Sequence, residues 1–564
     1  MTSASERFPR PVVTELLEQV AELSRRFGLD PQFSRAGGGN SSVKADGVLY
    51  IKPSGVPLGS LSSDALMPLD MEPLLALLNT DLDAGSAAGS ETVMQVAMLA
   101  RLRPVGERRP SVECLFHALI PRRFVLHTHP TIVNAVCCAR DGSRIAEQLF
   151  GDTALWLDYV DPGLPLARAI SGARRRFEHG TGRAAPDVVL LQNHGLIVAG
   201  DDARAVAHAS VQAVQTVRRH LDRLGGVPAG ARPTSAAPSS KAPVRAASQR
   251  GIDTIGPFLR GALSTGPRLK VVTFDDSDDA IHLATAAEGR GLVLAGPLTP
   301  DQIVYAGSWP LWLELPASEG EHRVVTTIRA ALADHVQIRG VVPSVVVAEG
   351  VGLFVAGDLA HQAQTARDVY LDATRIGFAA LRLGGVRVLT PNERQFIEGW
   401  EAEAYRRGIE AESTAGSGRG LVILITRASE GLGPALAADL VASGAHVVPV
   451  DGHGSLDAVR ALVRSHGGLD LVVSLGPDSM PGRSRHGDGF LAEVTRIWAL
   501  QHAARPTWRG TILEVNPAGN GGSQEGRARI RSLGRRLPAG ISFKVVDPVG
   551  PTDLLEVVLG AASA

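Results

Sequence analysis

The apolar positions of this chain fall into two rhythms. VVTELLEQVAELSRRFG, near the start, repeats its apolar residues at helical spacing and predicts an amphipathic helix. SSVKAD and GVLYIKPSG read as two short strands around a turn. FVLHTH (124–129) is a strand, and VVLLQNHGLIVAG (188–200) reads as two strands joined at Asn193-His194-Gly195. DDARAVAHASVQAVQTVRRHLDRL closes the stretch as a helix, with Asp201 or Asp202 as its cap. Antiparallel strands with helices between and after them predict an α+β, α-β-α layered domain over residues 1–225.

The rhythm stops at GVPAGARPTSAAPSSKAPVRAASQR, which predicts a linker over 226–250. A shorter break, AESTAGSGR, predicts a second linker at 411–419. Two further blocks result, 251–410 and 420–564. The middle block reads as a repeat of the end of the first. PDVVLLQNHGLIVAGDDAR (186–204) matches PSVVVAEGVGLFVAGDLAH (343–361), read with one extra residue before the second glycine. Gly195 then pairs with Gly352, and Val351 takes the place of His194. A looser match sets TIVNA (131–135) against QIVYA (302–306), with Leu298 and Pro300 where His127 and His129 stand. On this reading 251–410 is a second α+β unit that has lost its chemistry. The third block opens GLVILITRASEGLGPALAADLVASGAHVVPVD, which is strand, glycine turn, helix, strand and a terminal Asp451. That order is the opening of a Rossmann βαβ unit and predicts a parallel sheet.

Composition bounds the partners. A chain of 564 residues is too long for one core and implies roughly three domains. Its 44% hydrophobic and 20% charged residues are those of a soluble globular protein. A net charge of −1 gives no general attraction to nucleic acid or to an anionic membrane. No uncharged apolar run reaches about 18 residues, so no membrane-spanning helix is expected. The start, MTSASERFPRP, lacks the apolar core of a secretory signal. The three cysteines, Cys114, Cys137 and Cys138, cannot form a closed disulfide set, which fits a reducing cytoplasm.

The chemistry begins with His127 and His129. Side chains two apart on a strand share a face, so the two imidazoles project side by side. His194, at a tight turn, is the best third ligand. Three histidines on Zn²⁺, or on another divalent metal, leave a position open for substrate oxygens. Glu113 lies about one helix upstream, where a carboxylate can move a proton next to a metal-bound carbonyl. GGGN (37–40) and KPSG (52–55) collect small residues, backbone N–H groups and hydroxyls suited to phosphate. Lys44 and Lys52 are two of only five lysines and could add charge there.

Together these residues resemble the class II, zinc-dependent aldolase/adducin family. GGGNSSVK, YIKPSGVP, PSVECLFHALI, VLHTHPTIV and LLQNHGLIVAG stand in the family's order over residues 10–225. The resemblance implies His127, His129 and His194 as metal ligands and Glu113 as acid–base. It implies Gly39, Asn40, Ser54, Gly55 and Ser111 as phosphate contacts, with Val112 where some members carry a second hydroxyl. Tyr159, in LDYVDPG, is the nearest match to a tyrosine that protonates the leaving aldehyde. The implied reaction is aldol cleavage of a phosphorylated ketose to dihydroxyacetone phosphate and an aldehyde, in a homo-oligomer. The same site also serves sugar-phosphate epimerases and dehydratases, and adducin-like members are binding proteins without catalysis. The whole chain is similar to rhamnulose-1-phosphate aldolases fused to a short-chain dehydrogenase. The last block departs from that plan: Arg427 stands for the first glycine of the turn, and no tyrosine follows Tyr405. It reads as a truncated, degenerate Rossmann domain without hydride chemistry.

Overall fold

The computed structural model describes residues 10–82, 87–106, 108–225, 241–315, 320–400, 416–451, 455–475, 487–515, 541–546 and 551–563. The chain divides into two compact units. The first holds 1–233, 295–304 and 368–410, and the second holds 234–294, 305–367 and 411–564. The sequence segments 1–225, 251–410 and 420–564 remain a proposal about the chain's make-up. Part of the expected first linker is helical. Residues 226–240 lie outside the described residues, but Lys241–Ala262 is one helix. Its buried Ile252, Ile255, Phe258 and Leu259 fall at helical spacing. A helix anchored by such a face propagates beyond it at little cost, since propagation is far easier than nucleation. Of the second linker, 411–415 lie outside the described residues.

The first unit is built on seven strands: β1 (Asn40–Ala45), β2 (Val48–Ile51), β3 (Met67–Asp70), β4 (Phe124–Thr128), β5 (Leu155–Leu157), β6 (Val188–Leu191) and β7 (Gly195–Gly200). Their order is β3-β2-β1-β4-β7-β6-β5, antiparallel except for β5 with β6. Asp46 and Gly47, at φ 51° and 78°, make the tight β1–β2 turn that Asp-Gly favours. Strand alternation separates two cores. Phe124, Leu126, Leu196 and Val198 join the helices Arg10–Gly28, Thr131–Cys137 and Ala203–Arg223. Val125, Ile197 and Ala199 join Cys114–Leu119 and Leu164–Thr181 on the other face. The result is the expected helix–sheet–helix layering. Asp202 is the cap of the last helix, accepting from the Ala205 N–H at 2.9 Å. Asp201 instead accepts from the Arg123 N–H and from Arg122.

In the second unit, β8 (Val271–Asp275), β9 (Leu311–Leu313), β10 (Val345–Ala348) and β11 (Gly352–Gly357) form a sheet of order β8-β11-β10-β9. This is the order and polarity of β4-β7-β6-β5. The registers also agree: Leu191↔Gly195 matches Ala348↔Gly352, and Thr128↔Leu196 matches Asp275↔Leu353. The expected pairing of Gly195 with Gly352 and of His194 with Val351 therefore holds as strand topology. Two details change. The joining turns are equally long, with three residues each, so no extra residue is needed. The positions of His127 and His129 fall on Phe274 and Asp276, not on Leu298 and Pro300. The string match of TIVNA to QIVYA ignored the strand register that decides equivalence.

The remaining strands are β12 (Val422–Thr426), β13 (His446–Val450), β14 (Leu471–Leu475), β15 (Gly510–Val515) and β16 (Ile541–Val546). They form an all-parallel sheet of order β13-β12-β14-β15-β16. Among the described residues this is the 2-1-3-4-5 order of a doubly wound parallel sheet, consistent with a Rossmann-like part. Arg427 takes the glycine position of the turn at φ 54° and folds back to pair with Glu430. Ser429 donates to Asp451 at 2.6 Å. Among the described residues no helix is long and apolar enough to cross a membrane.

Candidate metal centre

β4 lies between β1 and β7, and its last turn of alternation places His127 and His129 on the Val125 face. The His129 Nε2 lies 3.0 Å from the His127 Nε2, and the His194 Nε2 lies 3.3 Å from it. Three nitrogens bound to one tetrahedral Zn²⁺ at roughly 2.0–2.1 Å stand about 3.4 Å apart, so the spacing fits a single ion. The protonation pattern fits too. The His127 Nδ1 lies 3.0 Å from the Leu196 carbonyl, a bond only an Nδ1–H can make, which leaves Nε2 as a lone pair. Burial pulls His127 down to about 4 against the opposing pull of Glu113, so the ring is neutral at physiological pH. Nitrogen lone pairs facing one another at this distance repel unless a cation or a proton lies among them. Among the described residues these three histidines are the group that could hold a metal ion.

Glu113 ends its turn at the start of the helix Cys114–Leu119 and is 7% exposed. Its Oε1 lies 3.4 Å from the His127 Nε2 and 3.9 Å from the His194 Nε2. Ser111 Oγ accepts from the Glu113 N–H at 3.3 Å, so it shapes the turn that aims this carboxylate.

The glycine loops meet beside this cluster. Asn40 is the register partner of His127, is buried, and has an Nδ2 without a hydrogen-bond partner. Gly39 sits at φ +82°, and a Cβ there would meet the His127 carbonyl at 2.7 Å. The Lys52 N–H donates to the Ser41 carbonyl, and the Ser54 N–H donates to the Arg109 carbonyl. These bonds draw KPSG, with Gly55 at φ +78°, between GGGN and the segment holding Ser111. Lys52 is buried and donates to the Val56 carbonyl at 2.7 Å. Lys44 donates to the Arg122 carbonyl at 2.8 Å. Tyr159 packs with Val112, Ile303, Leu389, Ile397 and Trp400, and its buried hydroxyl faces Asp161. Burial, with Asp161 and Glu393 adding to it, pushes its pKa up, so it keeps its proton.

Sequence reasoning missed the residues that frame this cluster. Asp301 Oδ2 lies 2.5 Å from the His129 Nδ1. Asp372 pairs with Arg35 at 2.8 Å and accepts from Thr131 at 2.6 Å. Asn193, at φ 53°, donates to the carbonyls of Leu298 and Arg387 and accepts from the Arg387 guanidinium at 2.6 Å. All of these residues belong to the first unit.

The model of the class II aldolase and adducin N-terminal domain matches residues 18–221. The model of the aldolase class II second domain matches 252–406. The chain belongs to the class II aldolase/adducin family. A Bacillus subtilis (strain 168) protein named as the uncharacterized oxidoreductase YuxG is 25% identical over 465 residues. That alignment covers 77% of this chain and 64% of the relative, so the chain spans about two thirds of the length of the curated relative it matches. Among solved structures, the N-terminal class II aldolase domain of a Thermoplasma acidophilum protein is 26% identical at a TM-score of 0.31, covering 36% of this chain and 93% of its own. An L-fuculose-1-phosphate aldolase from Thermus thermophilus is 17% identical at a TM-score of 0.25, covering 36% and 95%.

Proposed function

We propose that this class II aldolase family member is a metal-dependent lyase that cleaves a phosphorylated ketose, rhamnulose-1-phosphate-like, to dihydroxyacetone phosphate and an aldehyde. The observation that carries the reading is three convergent imidazole Nε2 atoms with a carboxylate oxygen 3.4 Å from one of them. A divalent cation held by His127, His129 and His194 would supply Lewis-acid stabilisation of negative charge on the substrate oxygens. The chain's own groups do the rest. Gly39, Asn40, Ser54, Gly55 and Ser111 offer N–H and hydroxyl donors to the phosphate, which fixes the carbon chain against the histidines. In cleavage, the hydroxyl beyond the reacting bond passes its proton to the Glu113 carboxylate and becomes the aldehyde. The bond to the carbon next to the carbonyl breaks, and the electron pair left there takes a proton from Glu113. Tyr159, which holds its proton, is proposed to donate a hydrogen bond to the departing aldehyde oxygen, with no net proton transfer. The third block is proposed to have no lactaldehyde dehydrogenase activity, and the chain to act as a homo-oligomer.

The test is a panel of ketose 1-phosphates assayed for dihydroxyacetone phosphate release, beside metal analysis of the same protein. Release from at least one ketose, lost with the metal in His194→Ala, is the expected outcome. Glu113→Gln should keep the metal and lose about 10²–10⁴-fold in kcat. Epimerisation or dehydration without carbon–carbon cleavage would overturn the lyase assignment. A protein free of bound metal would overturn the site.

A further inference from the structure

We infer that Asp301 is a positioning residue of the metal centre: it holds the His129 ring so that Nε2, and not Nδ1, faces the other two histidines. This rests on the metal reading of the triad. Asp301 is 172 positions from His129, in a segment matched by the second-domain model and packed in the first unit. Its Oδ2 lies 2.5 Å from the His129 Nδ1, which is a charge-assisted contact on the ring edge opposite the cluster. Only an Nδ1–H can satisfy a carboxylate there, so the partner selects the tautomer with a free Nε2. His127 obtains the same tautomer from the Leu196 carbonyl. His129 lies just beyond the end of β4, and the Asp301 carboxylate stands at its Nδ1.

Asp301 is itself held in place. It sits in the first turn of the helix Pro300–Ala306. The preceding Leu298 carbonyl accepts from Asn193 at 2.7 Å, and the Leu298 N–H donates to Gln302 at 2.9 Å. Asn193 is the neighbour of His194, so one short segment braces two members of the triad. Room for the pair depends on Gly38. A Cβ at that position would lie 2.7 Å from the Asp301 Oδ2 and 2.9 Å from the His129 Nδ1. The glycine-rich loop read as a phosphate nest therefore also makes space for a carboxylate–imidazole contact.

The measurement is the dissociation constant for Zn²⁺, taken on the full-length protein by competition with a chromophoric chelator, with a thermal melt of each metal-free variant alongside. Asp301→Ala should weaken binding about 10–100-fold. Asp301→Asn, which keeps an oxygen to accept the Nδ1–H, should fall between that and wild type. Gly38→Ala should weaken binding in the same direction by crowding the pair. Wild-type protein that binds zinc, with both Asp301 variants binding it equally well, overturns this inference alone. Equal losses in Asp301→Asn and Asp301→Ala, accompanied by a lowered metal-free melt, would make Asp301 a structural residue and also overturn it. Wild-type protein that takes up no zinc overturns the site reading and this inference together.

Discussion

Gly195 shows how tightly the histidines are set. A Cβ there would lie 2.6 Å from the Thr128 carbonyl and 2.8 Å from the His129 Cδ2. The backbone cannot give way, because both strands are paired along their length, so the His129 ring would have to turn. Gly195→Ala is expected to cost about 1–3 kcal/mol of stability, as overpacking does, and to weaken zinc binding as well. Urea unfolding with a chelator titration checks both. Lys44 makes a separate pH prediction. Burial pulls its pKa from 10.5 to about 7, against the opposing pull of Asp201. The unfolded chain therefore binds more protons than the folded one between about pH 7 and 10.5, and stability rises with pH across that window. Lys44→Met should remove this rise. Urea midpoints at pH 7 and pH 9.5 that separate equally in wild type and variant would contradict it.

The strand–turn–strand carrying His194 is the element that joins sequence motif to distant structure. Asn193 accepts a left-handed backbone and uses its amide to clamp Leu298 and Arg387. Asn193→Ala should cost about 2–4 kcal/mol, combining the unfavourable φ with buried partners left unpaired. Asn193→Gly should recover the backbone part only. Denaturation curves that place the two variants together would show that the clamp carries all of the effect. The same element marks what the sequence could tell. His127, His129, His194 and Glu113 were legible because each lies in a short apolar string whose period fixes its direction. Asp301, Asp372 and Arg387 were not, because the chain leaves the first unit and returns once before supplying Asp301 and a second time before supplying Asp372 and Arg387. No local period records such a return. The equivalents of His127 and His129 in the second sheet were misplaced for a related reason. Two five-residue strings aligned by letters, whereas equivalence is set by which residues pair across strands.

At the scale of the whole molecule, the second unit joins two sheets that sequence reading placed in separate blocks. Val271, Phe354, Val422, Leu424, Val472 and Trp498 belong to one apolar core. Within it lies a buried ion pair. Arg260, wholly buried on the helix Lys241–Ala262, meets Asp470 at 2.6 Å just before β14. Arg260 also donates to the Lys270 carbonyl, and Asp470 accepts from the Val422 N–H at 2.8 Å. The pair thus ties the helix to the first strand of the parallel sheet. Removing one partner leaves the other charged and out of water, so Asp470→Leu or Arg260→Met alone should cost about 3–5 kcal/mol. Replacing both with apolar side chains removes that penalty, so the double variant should be more stable than either single one. The coupling in a double-mutant cycle, read by urea unfolding of the full chain, should exceed the ~1 kcal/mol ceiling of an exposed pair. If the second unit unfolds as one body, both single variants should shift a single transition. Two transitions, with only the later-chain one moved, would mean that the parallel sheet unfolds on its own in spite of the shared core.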